Sequence, residues 1–350
     1  MEPWVYPFHG RLEERWIDSQ ALTGNPLGDP HRRPLLVQLP PRYDDESQRR
    51  YATVYVLQGL TGQVDMWRNR HSLGPNTPEA IDARLSAPGA VPAIVVYVDA
   101  WTRYGGSQFL DSAGTGRYHT YLCEEIVPFV DAEYRTMAAA AHRAVAGHSS
   151  GGYGAMVAPM LRPDLFNGLA THAGDALFEV SYGPDLREAA RSLRDEPYAS
   201  FDEFWADLRS RPGRGRKSDG PLLNTWCMAT CYSTDDDGTV RLPFELSTGR
   251  ILPEIWERWL DHDPVRMAPR YGEALRAQRA IWIDAGRDDE YFLDLGAEAF
   301  RAELERLGVT PPTVHFELFE GRHGDVDWRF PMAIAWLAER LTPSPGADKG

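Results

Sequence analysis

Residues 143–157 read Arg143-Ala144-Val145-Ala146-Gly147-His148-Ser149-Ser150-Gly151-Gly152-Tyr153-Gly154-Ala155-Met156-Val157. An apolar run short enough for a buried strand leads into Gly-x-Ser-x-Gly, and small residues suited to a closely packed helix follow. A serine in that setting sits on a strained strand-to-helix turn. Glycines must flank it, because side chains there would collide with neighbouring backbone. The stretch predicts a strand over 143–148, a helix over 152–161 and Ser149 as a nucleophile at the carboxyl edge of a sheet.

Outward from this turn, strand-like runs recur at 11–22, 34–39, 52–58, 92–99, 168–173, 280–285 and 314–319. Helical spacing of Leu, Ile, Phe and Ala covers 118–134, 292–307 and 328–341. Strands alternating with helices specify an α/β protein. We expect a mostly parallel eight-stranded sheet, its last six strands parallel, with helices on both faces. Residues 175–271 break the rhythm. They hold helical stretches at 186–193 and 201–208, a basic Gly/Pro/Ser-rich loop at 209–217, and the aromatic series Trp226, Tyr232, Phe244, Trp256 and Trp259. The segment falls between two strands at their carboxyl ends, where open α/β sheets bind ligands. It reads as an inserted helical cap over Ser149, with 1–174 and 272–341 as the core and 342–350 as a disordered tail.

Composition bounds the partners. A net charge of −14 over 350 residues excludes a nucleic-acid groove or an anionic membrane surface, since no basic stripe offsets it. Three cysteines, Cys123, Cys227 and Cys231, do not make a disulfide framework, and the Cys227/Cys231 pair lacks the further ligands of a zinc site. The N-terminus carries neither a basic region nor a continuous apolar stretch, and nowhere do eighteen apolar residues run together. The expectation is a soluble, cytoplasmic protein without metal or organic cofactor; a homo-oligomer is compatible with all of this.

A serine hydroxyl is a poor nucleophile at neutral pH and needs an imidazole to take its proton and a carboxylate to orient that imidazole. After the strand at 280–285 come Gly286-Arg287-Asp288-Asp289-Glu290. Asp289 is the candidate acid, with Asp288 as the alternative. After the last strand come Glu320-Gly321-Arg322-His323-Gly324, and His323 is the candidate base. His148 adjoins Ser149 in the chain and should point away from its hydroxyl. The developing oxyanion needs two backbone N–H donors, assigned to Ser150 and to Leu60 in the turn Gln58-Gly59-Leu60-Thr61-Gly62. Thr61, Gly62, Trp101, Asp175 and Trp226 are the candidate substrate contacts. The aromatic residues of the cap suggest a small-molecule ester with a hydrophobic or aromatic group.

These residues resemble the esterase D-like family of α/β-hydrolases, which includes S-formylglutathione hydrolases, feruloyl and enterochelin esterases and mycolyltransferases. The resemblance rests on Val54–Gly62, Gly105-Gly106-Ser107-Gln108-Phe109 with Gly116-Arg117-Tyr118, Glu125–Asp131 with Tyr134-Arg135-Thr136, the turn at Ser149, Asp288-Asp289 and Gly321-Arg322-His323. It spans roughly 36–341. It implies the α/β-hydrolase fold, a triad at Ser149, Asp289 and His323, and an oxyanion hole at Leu60 and Ser150. The formylglutathione branch usually carries cysteine where this chain has Gly62, and its compact members lack a 175–271 insertion, so formylglutathione is not the expected substrate. The activity implied is carboxylic-ester hydrolysis through an acyl-enzyme. The same triad would also serve an acyltransferase, an amidase or a peptidase, and a non-catalytic binding protein could use the same fold.

Overall fold

The structure, a computed structural model, describes residues 6–70, 74–213 and 215–343. The expected disordered tail therefore lies outside the described residues from 344 onward, as do the first five residues and Arg214 of the basic loop. Eight strands form one sheet: β1 (Arg11–Asp18), β2 (Arg32–Leu39), β3 (Ala52–Leu57), β4 (Ala93–Val98), β7 (Arg143–His148), β8 (Gly168–His172), β9 (Ala280–Gly286) and β10 (Val314–Phe319). A two-residue hairpin, β5 (Asp111–Ser112) and β6 (Gly116–Arg117), stands apart. The order across the sheet is β1-β2-β4-β3-β7-β8-β9-β10. β1 and β2 run antiparallel, and the six strands from β4 to β10 across the sheet are parallel.

Period-two alternation splits the central strands between two faces. Tyr55, Leu57, Ile94, Val96 and Val145 pack against Tyr118, Tyr121, Leu122, Ile126 and Val130 of the helical segment 118–133. Their neighbours Val54, Val56, Val95, Tyr97, Ala144 and Ala146 pack on the other face against Ile81 and Leu85 of helix Thr77–Leu85 and Phe330, Ile334 and Leu337 of helix Arg329–Leu341. Strands buried on both faces read as continuous apolar runs, which is why they are visible in the sequence.

Between β8 and β9 the chain builds the helices Phe178–Ser181, Gly183–Asp195, Phe201–Ser210, Asp219–Tyr232, Pro253–Leu260, Pro264–Arg270 and Gly272–Arg276. Their apolar side chains, among them Leu186, Phe204, Leu222 and Trp259, share one buried cluster with Tyr153, Met156, Leu169, Ile281 and Ile283 of the sheet and the helix after Ser149. The segment between β8 and β9 thus shares one core with the sheet. No helix among the described residues is long and apolar enough to cross a membrane.

Candidate active site

At the end of β7 the chain turns at Ser149, with φ 58° and ψ −124°, a conformation that costs a non-glycine residue energy and is tolerated where surrounding structure enforces it. The enforcement is close backbone packing. A Cβ on Gly147 would lie 2.2 Å from the Gly151 carbonyl oxygen, and one on Gly151 would lie 2.2 Å from that of Leu57. The Ser149 N–H donates to the His172 carbonyl at 3.0 Å, tying the turn to β8. Gly151→Ala is expected to lower stability by roughly 1–3 kcal/mol through overpacking, seen as a fall in Tm; an unchanged Tm would show that the turn can relax around the methyl group.

Helix Ser150–Leu161 begins at once, so the Ser150 N–H has no intrahelical partner. Across from it, the turn after β3 spends the Thr61 N–H on Gly105 O (2.9 Å) and the Gly62 N–H on Gly59 O (3.1 Å). The Leu60 N–H makes no hydrogen bond among the described residues. The turn is anchored from below by Gln58, whose amide nitrogen lies 2.5 Å from Val98 O and whose amide oxygen lies 2.8 Å from Ala100 N and 3.1 Å from Trp101 N. The O/N assignment of that amide follows from this network.

The loops after β9 and β10 are zipped together by their backbones: Arg287 N–H donates to Phe319 O (2.8 Å) and Asp288 N–H to Gly321 O (3.0 Å). The Glu290 carboxylate accepts from the His323 N–H at 3.1 Å. This fixes His323 with Nε2 3.0 Å from Ser149 Oγ and Nδ1 2.9 Å from Asp289 Oδ2. The other Asp289 oxygen accepts from the Tyr291 N–H at 2.8 Å, and the carboxylate is fully buried. Asp288 is exposed. Of the two acids left open by the sequence, the structure brings Asp289 to the imidazole.

His148 lies with its ring 4.4 Å from that of His323. No hydrogen bond joins it to the Ser149 hydroxyl among the described residues, and it lines the cavity beside the imidazole. Burial, His323 and His172 push the His148 imidazole well below its ordinary value. His148 is therefore not expected to add a proton to the acid limb of the pH profile of kcat/KM near neutrality; a limb of slope two would show that it does.

A cavity of about 390 Å³ opens over Ser149. Leu60, Thr61, Ser150 and Asp175 line it, joined by Met66, Tyr291 and Leu293, and by Ser181, Tyr182, Leu223 and Asn224 from the helices between β8 and β9. Three candidate contacts are not on this wall. Gly62 faces Met66, whose Sδ would lie 2.6 Å from a Cβ at position 62; Met66 fills the space that a side chain there would need. Trp101 contributes backbone, its N–H to Gln58 and its carbonyl to Tyr118 Oη at 3.3 Å. Trp226 stacks on Phe201 with ring centroids 5.7 Å apart, because Gly220, Leu223 and Asn224 occupy the cavity side of helix Asp219–Tyr232. Sequence reasoning singled out neither Glu290 nor His148 as a support of His323. For Glu290 the signal was present, a third acid directly after Asp289.

Fold order, strained serine turn and the serine–imidazole–carboxylate alignment define an α/β-hydrolase. A family model described as "Putative esterase" matches residues 30–336, and the chain belongs to that family of esterases. Solved structures share the fold at low identity. A ferulic acid esterase matches with TM-score 0.55 and 18% identity over 96% of this chain and 100% of its own. The S-formylglutathione hydrolase from Agrobacterium tumefaciens matches with TM-score 0.54 and 15% identity, over 97% and 98%. The fluorophosphonate-binding serine hydrolase FphF of Staphylococcus aureus matches with TM-score 0.57 and 16% identity, over 95% and 99%.

Proposed function

We propose that this esterase hydrolyses a small carboxylic ester in two steps through an acyl-enzyme on Ser149. His323 Nε2 takes the hydroxyl proton as Oγ attacks the carbonyl, then passes it to the departing alkoxide. Asp289 holds the proton on Nδ1 and so keeps Nε2 free to accept. The N–H groups of Leu60 and Ser150 receive the developing oxyanion. Water, deprotonated by the same imidazole, releases the acid. The observation that carries this reading is the unbroken relay from Ser149 Oγ through His323 to Asp289, at 3.0 and 2.9 Å, beside two backbone donors without internal partners.

Residues 175–271 act in this reading as a cap, since Ser181, Tyr182, Gly220, Leu223 and Asn224 supply one wall of the cavity. The apolar share of the wall, Leu60, Met66, Leu223 and Leu293, suits a hydrophobic portion of the ester. The test is intact-protein mass after fluorophosphonate treatment, with peptide mapping, alongside hydrolysis of short and long p-nitrophenyl esters. One adduct, on Ser149, together with ester turnover is the expected result. An unlabelled protein that turns over no ester would make it a binding protein on a hydrolase fold.

A further inference from the structure

The cavity floor holds a carboxylate that the reaction at Ser149 does not use. Asp175 is 5% exposed and lines the cavity next to Ser149 and Ser150. Its Oδ2 accepts hydrogen bonds from Gln108 Nε2 at 3.0 Å, Tyr182 Oη at 2.9 Å and, more weakly, Ser150 Oγ at 3.4 Å. No hydrogen bond reaches Oδ1 among the described residues, and no Lys, Arg or His there forms an ion pair with this group. All its donors are neutral. A buried carboxylate is ordinarily paired with a cation, because neutral donors offset only part of the cost of removing the charge from water.

The surroundings are built to hold this carboxylate in place. Ala173 and Leu177, two residues to either side, have φ of 43° and 55°; Gln108, which reaches it, and the next residue Phe109 have φ of 50° and 53°. Four non-glycine residues in the left-handed region around one side chain represent strain of the kind that collects at functional sites. Gln108 is fixed further by Tyr232, 2.9 Å from its Nε2. From the insertion, Asn224 spends its Nδ2 on Asp185 at 2.7 Å, which leaves its carbonyl oxygen as an acceptor. This part of the cavity is rich in acceptors, and no Lys or Arg lines it among the described residues; the one nearby group whose charge acts on Asp175 is the His323 imidazole.

We propose that Asp175 determines substrate specificity: its open Oδ1 receives a primary or secondary ammonium group carried by the ester substrate. The inference rests on the hydrolase reading at Ser149 and narrows it to cationic esters. A hydroxyl could supply a hydrogen bond to Oδ1 but would leave the charge unpaired, and an anionic group would meet repulsion.

The test compares esters of equal length ending in ammonium, hydroxyl or methyl, with the variable end placed first in the acyl and then in the alcohol part, followed by proton release. In one of the two placements the ammonium ester is expected to exceed its methyl counterpart in kcat/KM by about tenfold or more, as a hydrogen bond to a charged group implies. Asp175→Asn should collapse that ratio toward one. An equal loss on all esters would mean that Asp175 acts through the charge on His323, and a preference for hydroxyl or methyl ends would refute the cation; either result overturns the proposal. A second measurement needs no variant. Alkylammonium ions should slow fluorophosphonate labelling of the wild type more than alcohols of the same length, and equal protection by both would also overturn it. Failure of the hydrolase reading is distinct, since the wild type would then neither label nor turn over any ester.

Discussion

Ser149→Ala is expected to lower kcat on activated esters by roughly 10⁴- to 10⁶-fold, the loss seen when the nucleophile of a serine triad is removed. Covalent chemistry is lost while the cavity and the two backbone donors remain, so substrate affinity should change little. The variant should fold, because alanine keeps the Cβ and the turn is enforced by Gly147, Gly151 and the Ser149–His172 backbone hydrogen bond rather than by the hydroxyl. Steady-state kinetics together with circular dichroism checks this. A folded Ser149→Ala protein with near wild-type turnover would refute the acyl-enzyme, and residual turnover about 10³- to 10⁴-fold above water would fit catalysis by the oxyanion donors and binding alone.

The parts of this fold that the sequence exposes are those whose signal is local. The strand before Ser149 and the helix after it are read from one continuous stretch, since tight glycine packing, a strained serine and small helical residues all occur within it. The central strands β3 and β4 stand out because burial on both faces makes them almost wholly apolar, whereas the edge strand β10 is half-buried and is read from its alternating Val314, Phe316 and Leu318. Helix Thr77–Leu85 is absent from the sequence reading because its apolar face is thin. Its start was nevertheless written in Asn76-Thr77-Pro78-Glu79, a capping box with proline in the first turn. Helix Asp219–Tyr232 fails for the opposite reason: Leu222, Trp226, Cys227, Met228, Cys231 and Tyr232 are buried on several sides, so no polar face marks a helical period.

The site divides in the same way. Ser149, Asp289 and His323 each follow a recognisable strand, and topology alone brings them to one edge of the sheet. Trp101 and Trp226 are residue types that suit a cavity wall, but residue type says nothing about the direction of a ring. Gln108, Tyr182 and Tyr232 come from three distant segments and meet only around Asp175; no spacing in the chain announces that meeting.

The loop after β9 allows a sharp comparison between adjacent acids. Asp289→Asn is expected to reduce kcat by about 10⁴-fold with the fold intact, as removal of the orienting carboxylate does in serine triads. An asparagine amide facing Nδ1 would favour the imidazole tautomer with its proton on Nε2, and that nitrogen could not then accept from Ser149. Asp288→Asn should leave kcat close to the wild-type value, because the exposed Asp288 carboxylate makes no hydrogen bond to His323 among the described residues. Asp288 contributes to the loop through its backbone, and its N–H bond to Gly321 survives the change. Kinetics of the two variants under identical conditions decide the matter. Comparable losses would mean that the carboxylates orient His323 jointly, and a larger loss at position 288 would reassign the triad acid. The buried position of Asp289, with one oxygen on His323 and the other on the Tyr291 N–H, is the physical ground for expecting the first outcome.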